Sequence, residues 1–402
     1  MHIGVWLLAT AVMAGGAGSA ESVSERDFVH RVMRDPRVVA MLDEPLAQAR
    51  AERARVGLIP DPEVGFDREA LGGQPRQDTW SLSWTPPWDG RSLSRTRAAR
   101  AGLEAAKRRH ELSGVELRAH LRSAFADWAL ARDGAELGRQ LATLTDRLTR
   151  QAEARASKGE TSTLAARRLL LARIEVRAEA ARLEAEFAHA AEEVRAWAPW
   201  LAAAAAPERP ALPAMPQDSA AWSGSPRLAA LDLDVRQAEA TAAAAARSWA
   251  LPELSYGRQT LRGGPGDVDG PVYGARWKLP LFDRGAGDRI EARGRLAAAR
   301  ARRELDRDRV RARYVTALAA YAALREAAEL AAGAEPAATR VLASAAAIFE
   351  AGEGDATDLL ETLRGVLAGR LAALDALGAA LRAHRELELA AGRALTLTEG
   401  GE

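Results

Sequence analysis

The sequence has no cysteine and few aromatic residues, and its positive and negative charges almost balance. The lack of cysteine excludes disulfides, thiolate metal sites, cysteine nucleophiles and an N-terminal lipid anchor on cysteine. A net charge of +1 gives no overall electrostatic footprint for nucleic acid or for an anionic membrane surface. With only 5% aromatic residues and abundant alanine, leucine, arginine and glutamate, the composition indicates long helices in close contact.

Motifs for catalysis and for cofactor binding are also lacking. The sequence contains no HExxH spacing, nucleophile elbow, Walker-type loop or dinucleotide fingerprint. No metal-ligand spacing relates its histidines, which are His2, His30, His110, His120, His189 and His384. We therefore predict that the protein is not an enzyme and has neither a cofactor nor a metal site.

Long apolar runs are confined to the N-terminus. Ile3 to Ala14 is apolar and Gly18-Ser19-Ala20 has the small residues of a cleavage site, which predicts a signal peptide over residues 1–20. The alternative is a signal-anchor helix, but this run is too short to span a bilayer comfortably. No later stretch approaches the ~20 apolar residues of a membrane helix. We therefore expect an exported protein that can enter a membrane only through strands.

The rest of the chain is a tandem duplication. Pairs that recur at two nearly equal spacings are Asp35-Pro36 with Ser225-Pro226, Trp84 with Trp277, and Gly159-Glu160 with Gly352-Glu353. We place the first repeat at residues 21–210 and the second at 211–402. Each repeat is predicted to form a helix, two strands, a very long helix, a turn and a returning helix.

Apolar and polar residues alternate in four short segments, which predicts strands at about 62–70, 78–86, 252–261 and 271–280. The apolar faces carry five large aromatic residues, namely Trp80, Trp84, Tyr256, Tyr273 and Trp277. Too few other apolar residues lie nearby to cover them, so we expect these aromatics to contact lipid while the polar faces enclose water.

Four strands cannot close into a barrel alone, and open edges in a bilayer would leave backbone groups unpaired. Closure therefore requires several copies of the chain. Two copies would give eight strands with a filled interior, whereas three would give twelve strands around a passage.

Two very long helices are predicted. The stretch from Ser92 to Ser157 has no proline, and at about 1.5 Å per residue it would extend roughly 100 Å. Its counterpart, from about 284 to 350, contains Pro336, where we expect a kink. Helices of this length must pack side by side.

The strand ends and helix turns of both repeats resemble those of the TolC-like outer-membrane factor family. The stretches that carry the resemblance are WTPPWDGR, WKLPLFDRG, RASKGETST and IFEAGEGDATDLL. The resemblance implies a mainly α fold with a small membrane β part. Long α-helical hairpins would form a periplasmic tunnel, and four strands per protomer would contribute to a 12-stranded trimeric β-barrel in the outer membrane of a Gram-negative bacterium. It also implies a homotrimer that works with a periplasmic adaptor (membrane fusion protein) and an inner-membrane pump.

The turns at 157–161 and 350–355 are candidate docking sites. Glycine there ends one helix and lets the chain reverse through positive φ. Beyond this capping role, the resemblance implies that the adaptor docks at Gly159, Glu160, Gly352 and Glu353.

The resemblance also implies a periplasmic gate. Family members have acidic residues six and nine positions after the second glycine, and an aromatic residue three positions before it, which correspond to Asp358, Glu361 and Phe349. Three copies would bring six carboxylates into one ring that attracts cations. The alternative is that Asp358 and Glu361 only favour the start of a helix through its dipole.

The function predicted from these features is a passive exit duct of a tripartite efflux system. Its cargo would be small substrates, either metal cations or drugs, and the PDPEVGFDREALGG and WSLSWTPP stretches resemble the heavy-metal-resistance branch most. Two alternatives stay open: a duct of a protein-secretion system, and a soluble periplasmic coiled-coil scaffold.

Overall fold

A computed structural model describes residues 22–56, 60–70, 76–88, 90–247, 251–263, 266–277 and 285–395. The predicted signal peptide lies outside these residues. In the first repeat the elements are β1 (Ser22–Val23), α1 (Glu25–Met33), α2 (Pro36–Arg55), β2 (Glu63–Glu69), β3 (Arg76–Trp84), α3 (Arg91–Ser157) and α4 (Thr163–Trp197).

The second repeat has the same order of main elements. The first repeat ends with β4 (Ala206–Pro207), and the second comprises a short 3-10 helix (Ala221–Gly224), α5 (Pro226–Ala246), β5 (Pro252–Arg262), β6 (Val268–Trp277), α6 (Ala286–Ala351) and α7 (Ala356–Ala391). The predicted succession of helix, two strands, long helix, turn and returning helix is therefore present twice.

The repeats begin with equivalent helix caps. The Asp35 carboxylate accepts a hydrogen bond from the backbone N–H of Arg37 at 2.8 Å, and the Ser225 hydroxyl accepts one from that of Arg227 at 3.3 Å. A proline follows each cap at the first helical position, where its missing N–H costs no intrahelical bond. The recurring Asp-Pro and Ser-Pro pairs therefore mark helix starts.

The long helices match their predicted extents closely. α3 contains 67 residues and α6 contains 66. Pro336 lies inside α6, which stays helical up to Ala351, so the proline does not interrupt the helix. None of the helices in the described ranges is long and apolar enough to cross a membrane.

The four long strands form one antiparallel sheet in the order β2-β3-β5-β6. β3 pairs with β5, from Arg76 opposite Arg262 to Trp84 opposite Leu254, so the sheet joins the two repeats. The small pair of β1 with β4 is parallel.

Contacts between Cα atoms divide the chain into two compact units, each with segments from both repeats. Of the described residues, the sheet unit takes those within 34–120, 213–324 and 382–395, and the helical unit takes those within 22–33, 121–212 and 325–381.

The core of the helical unit draws side chains from all four of its long helices. One buried cluster contains Leu141 of α3, Val176 of α4, Leu342 of α6 and Leu363 of α7. Small residues let the helices come close, because a Cβ at Gly138 would lie only 3.0 Å from the Cα of Ala180. The two helical hairpins therefore share one apolar core in this unit.

Candidate functional sites on the sheet and at the helix turns

Strand register places the predicted aromatic residues on one face of the sheet. Val64 pairs with Leu82, Leu82 with Tyr256, and Tyr256 with Tyr273, so these side chains form one row across all four strands. Trp80, Trp84 and Trp277 fall in rows on the same side, because directly paired residues share a face. We call this side the apolar face.

The apolar face is uncovered in the single chain. Trp80 is 58% exposed, Tyr273 is 76% exposed and Trp277 is 61% exposed. The rings contact one another, since the Phe66 and Trp80 centroids lie 4.6 Å apart and those of Tyr256 and Tyr273 lie 5.4 Å apart. An exposed contiguous patch of this kind marks a surface that is covered by lipid or by another protein.

The opposite face carries mostly polar and small residues, with three apolar side chains on β5 and β6, namely Leu261, Val268 and Val272. One of its rows contains Glu63, Ser83, Ser255 and Gly274, and the next contains Gly65, Ser81, Gly257 and Val272. A Cβ at Gly257 would lie 2.5 Å from the backbone oxygen of Trp80, so only glycine fits there without a shift of the strands. We call this side the polar face.

Within the described residues, β2 and β6 each pair with a strand on one side only. Their outer edges therefore present backbone N–H and C=O groups to a further strand.

Both helix turns are built in the same way. At the first, Gly159 has φ +76°, its N–H donates to the Ala156 carbonyl at 3.1 Å, and the Glu160 N–H donates to the Arg155 carbonyl at 3.0 Å. At the second, Gly352 has φ +84° and its N–H donates to the Phe349 carbonyl at 3.1 Å. The Glu353 N–H donates to the Ile348 carbonyl at 3.2 Å. Each turn is thus a Schellman motif, which satisfies the last carbonyls of its helix.

The side chains of Glu160 and Glu353 are exposed at these turns. The structure brings the two turns together in the helical unit. The Arg155 guanidinium donates to the Phe349 carbonyl at 2.8 Å and also to the Glu350 carbonyl, across the gap between the hairpins. The residues predicted for adaptor docking therefore lie on adjoining turns.

Asp358 and Glu361 are both exposed on the first turns of α7. Their three-residue spacing puts them on one side of the helix. The carboxylate that caps α7 belongs to Asp355, whose pKa is lowered mainly by a hydrogen bond from the Thr357 hydroxyl, with further bonds from backbone N–H groups. Asp358 follows in the first turn of the helix, where a negative charge also interacts favourably with the helix dipole.

Phe349 does not lie with the two acidic residues. It is only 5% exposed and packs in a core cluster with Leu148 of α3, Leu169 of α4 and Leu359 of α7. The ring therefore fills the helix core of the single chain, and the entrance proposed below is built on the two acidic residues alone.

Ion pairs hold the helices together close to these turns. Asp146 of α3 accepts hydrogen bonds from Arg173 at 2.7 Å and from Arg177 at 2.6 Å, both on α4. These contacts, above all the one from Arg177, hold the pKa of Asp146 below its ordinary value.

A polar cleft in the helical unit has no signal in the sequence. The cleft has a volume of about 650 Å³ and is lined by Arg132, Asp133, Arg209, Glu335 and Arg370 among others. Burial raises the pKa of Asp133, although Arg209 lies 3.5 Å away. Its residues come from α3, α6, α7 and the segment after β4, and no spacing along the chain would group them. No cluster of His, Cys, Asp and Glu that could hold a metal is found in the described ranges.

Residues 218–393 match the family model of the outer membrane efflux protein. The second repeat belongs to the outer membrane efflux protein family. No curated protein sequence matches the chain. The predicted resemblance to TolC-like outer-membrane factors is thereby confirmed.

Solved structures confirm the predicted fold over both repeats of this chain. One is CusC, from a structure that concerns folding and transmembrane channel formation. The match covers 92% of this chain and 92% of the CusC chain, at 16% sequence identity and a TM-score of 0.76. VceC from Vibrio cholerae is 14% identical, with coverage of 92% and 96% and a TM-score of 0.74. The CmeC outer membrane channel from Campylobacter jejuni is 13% identical, with coverage of 94% and 87% and a TM-score of 0.76.

Proposed function

We propose that three copies of this chain form an outer-membrane exit duct of a tripartite efflux system. Small substrates would reach it from an inner-membrane pump through a periplasmic adaptor and leave through it passively, without catalysis. The family match of the second repeat and the likeness of the fold to solved outer-membrane channels support this function. The observation that carries it is the exposed row of aromatic residues on one face of an open-edged sheet.

Lipid contact explains both faces of the sheet. Aromatic girdles outside and polar residues inside are typical of membrane barrels, whereas a soluble protein would cover so large an apolar patch. The small residues of the polar face suit the concave side of a curved sheet. In a soluble scaffold the rings of Trp80, Tyr273 and Trp277 would stay largely exposed to water.

Association of copies would also cover apolar stripes on the helical unit. On α4, Leu164, Leu171 and Ile174 are more than half exposed, and on α6 the same holds for Val341, while Ile348 is 50% exposed. Residues seven apart lie on one helix face, as in the contact seam of a coiled coil. Neighbouring copies could therefore pack α4 of one copy against α6 of the next. The open edges of their sheets would pair in the same assembly.

For the entrance, we propose that Asp358 and Glu361 of three copies form a ring of six carboxylates. Both side chains are exposed at the turn end of the helical unit, as a ring requires. The adjoining turns at Gly159, Glu160, Gly352 and Glu353 are the proposed docking surface for the adaptor. Small substrates are the cargo class that we propose. Metal cations, as in the heavy-metal-resistance branch, and drugs remain candidate members of that class.

Single cysteines can test lipid contact, because the chain has none of its own. Leu82 and Ser83 are neighbours on β3 and lie on the apolar and the polar face respectively. In liposomes, a fluorophore on Leu82→Cys should be quenched by nitroxide-labelled lipid, and one on Ser83→Cys by aqueous iodide. Crosslinking of the same samples should give trimers. A monomer in which iodide quenches both positions equally would rule out the duct and favour the soluble scaffold.

A further inference from the structure

A group of charged side chains lies on the apolar face, at the end of the sheet away from the long helices. The register places Arg68, Asp78 and Asp269 in one row, and Arg76 directly opposite Arg262 beyond it. Arg258 lies one row nearer the helices, opposite Trp80. We call Arg68, Arg76, Asp78, Arg258, Arg262 and Asp269 the rim cluster.

Hydrogen bonds fix most of the rim cluster in place. Arg68 Nε donates to Asp78 Oδ1 at 2.7 Å, and Arg76 Nε donates to the same oxygen at 3.2 Å. Asp78 is only 7% exposed, so two guanidinium groups share one buried carboxylate. Arg258 Nε donates to Asp269 Oδ2 at 2.6 Å. The Arg68 guanidinium also lies 5.3 Å from the centroid of the Phe66 ring.

Positive charge exceeds negative charge in this cluster. Four arginines face two aspartates, and counting the exposed Asp267, which precedes β6, still leaves an excess of one positive charge. Arg76 and Arg262 stand directly opposite each other on adjacent strands. Like charges in that position are destabilising, so an anion placed between them would stabilise the sheet. The near-neutral charge of the whole chain conceals this local excess.

The cluster lies at the expected distance for a second membrane interface. Arg76 precedes Trp84 by eight positions on β3, and at about 3.3 Å per residue this is roughly 26 Å along the strand. Because strands of a membrane barrel tilt by about 35–45°, this stretch rises roughly 20 Å across the bilayer, and the long arginine side chains extend it towards the end of an apolar band that is about 25 Å tall. With Trp84 and Trp277 at the interface nearer the helices, Arg76 and Arg262 reach the headgroups of the opposite leaflet.

We propose that the rim cluster binds the phosphate groups of a phosphorylated glycolipid in the outer leaflet. The inference rests on the proposed function, which makes the apolar face the lipid side. Guanidinium groups bind phosphate through two parallel hydrogen bonds. The aromatic residues on the same face offer a surface for the acyl chains of the ligand. A soluble anion would not use that surface, which is why we assign a lipid.

Native mass spectrometry of the purified trimer with bisphosphorylated lipid A tests the proposal. Arg76→Gln with Arg262→Gln should weaken glycolipid binding by about tenfold or more, because both guanidinium groups lose their charge-assisted hydrogen bonds to phosphate. Arg276→Gln is the matched control, because Arg276 lies on the polar face at the opposite end of the strands. A dephosphorylated glycolipid should bind the wild type as weakly as the bisphosphorylated one binds the double variant.

Several results would overturn the proposal. One is equal binding by the wild type and the double variant, and another is equal binding of the dephosphorylated glycolipid. Competition by inorganic phosphate at matched concentration would indicate a soluble anion site instead. Arg76→Lys with Arg262→Lys keeps the charge but loses the paired donors, so it should bind with intermediate affinity even where the glutamine variant folds poorly.

Measurements on the same samples distinguish failure of this proposal from failure of the proposed duct. The double variant should still form trimers and conduct ions in planar bilayers. If the wild type forms conducting trimers but retains the glycolipid no better than the double variant, only the rim proposal fails. If the wild type neither assembles nor inserts, the duct proposal fails first.

Discussion

Phe349 and Arg155 show, at the scale of single residues, how side chains join the two helix turns. Phe349 fills the core shared by α3, α4 and α7, and its backbone carbonyl accepts a hydrogen bond from Arg155 at 2.8 Å. Ile348 takes the place of Arg155 in the second repeat and is 50% exposed. The repeats are therefore equivalent in backbone but different in the contacts that hold them together.

The buried position of Phe349 predicts a stability effect. Phe349→Ala should destabilise the protein by about 3–5 kcal/mol, because it removes a large ring from a packed core. Phe349→Leu should recover much of that loss. Denaturant unfolding of the detergent-solubilised protein measures both variants. If Phe349→Ala instead raised single-channel conductance at unchanged stability, the ring would have to line the entrance.

Asp146 predicts a pH dependence of stability. Its pKa is held below the ordinary 3.8 by Arg177 and Arg173, so its stabilising contribution is present above about pH 4 and is lost as the pH falls below that value. Asp146→Asn should cost about 1 kcal/mol at pH 7, as for a partly exposed ion pair, and little at pH 3. Unfolding at the two pH values measures the difference. Glu153→Gln on the same helix is the control, and an equal loss at both pH values would contradict the assignment.

At the scale of elements, the two Schellman turns depend on glycine with positive φ. A Cβ at Gly159 would meet no atom within 4 Å, so any penalty there comes from the backbone conformation alone. Gly159→Ala and Gly352→Ala should each destabilise the protein by about 1 kcal/mol. Gly333→Ala, inside α6 with nothing within 4 Å, should have the opposite sign and stabilise by about 0.5–1 kcal/mol. Thermal unfolding of the three variants checks the predicted signs, and stabilisation by Gly159→Ala would contradict them.

Most elements could be predicted from the sequence, because their signals are local. The alternation of apolar and polar residues predicted the bounds of β2, β3, β5 and β6 to within a few residues. The stretch without proline from Ser92 to Ser157 predicted the bounds of α3. The pairing of β3 with β5 could not be predicted, because it joins segments more than 150 residues apart and no turn sets its register. The pair of β1 with β4 was missed because two-residue strands have no detectable period.

The candidate sites were predictable to different degrees. The aromatic residues share one face because alternation has a period of two, so every correct strand assignment also assigns the face. The environment of Phe349 depends on packing among four helices, which its position in the last turn of α6 does not reveal. The rim cluster likewise depends on register, since nothing in the spacing of Arg76 and Arg262 along the chain places them side by side.

At the scale of the whole molecule, one plan is used twice and remains incomplete in a single copy. Among the residues that the structure describes, the sheet has two open edges, its aromatic face is uncovered, and α4 and α6 carry exposed apolar stripes. Further copies of the chain or lipid would pair or cover each of these surfaces. Assembly and membrane insertion are therefore expected to depend on each other, because edges that enter a bilayer must be paired.

The proposed carboxylate ring predicts the ion selectivity of the assembled duct. Asp358→Ala with Glu361→Ala would remove six carboxylates from three copies, so the preference for cations over anions and the block by divalent cations should both fall severalfold. Reversal potentials in planar bilayers under a salt gradient measure the change. Glu192→Ala with Glu193→Ala removes the same number of charges from α4 and should leave selectivity unchanged. Equal selectivity of the wild type and the Asp358/Glu361 variant would show that these residues only support the start of α7, and would leave the duct itself in place.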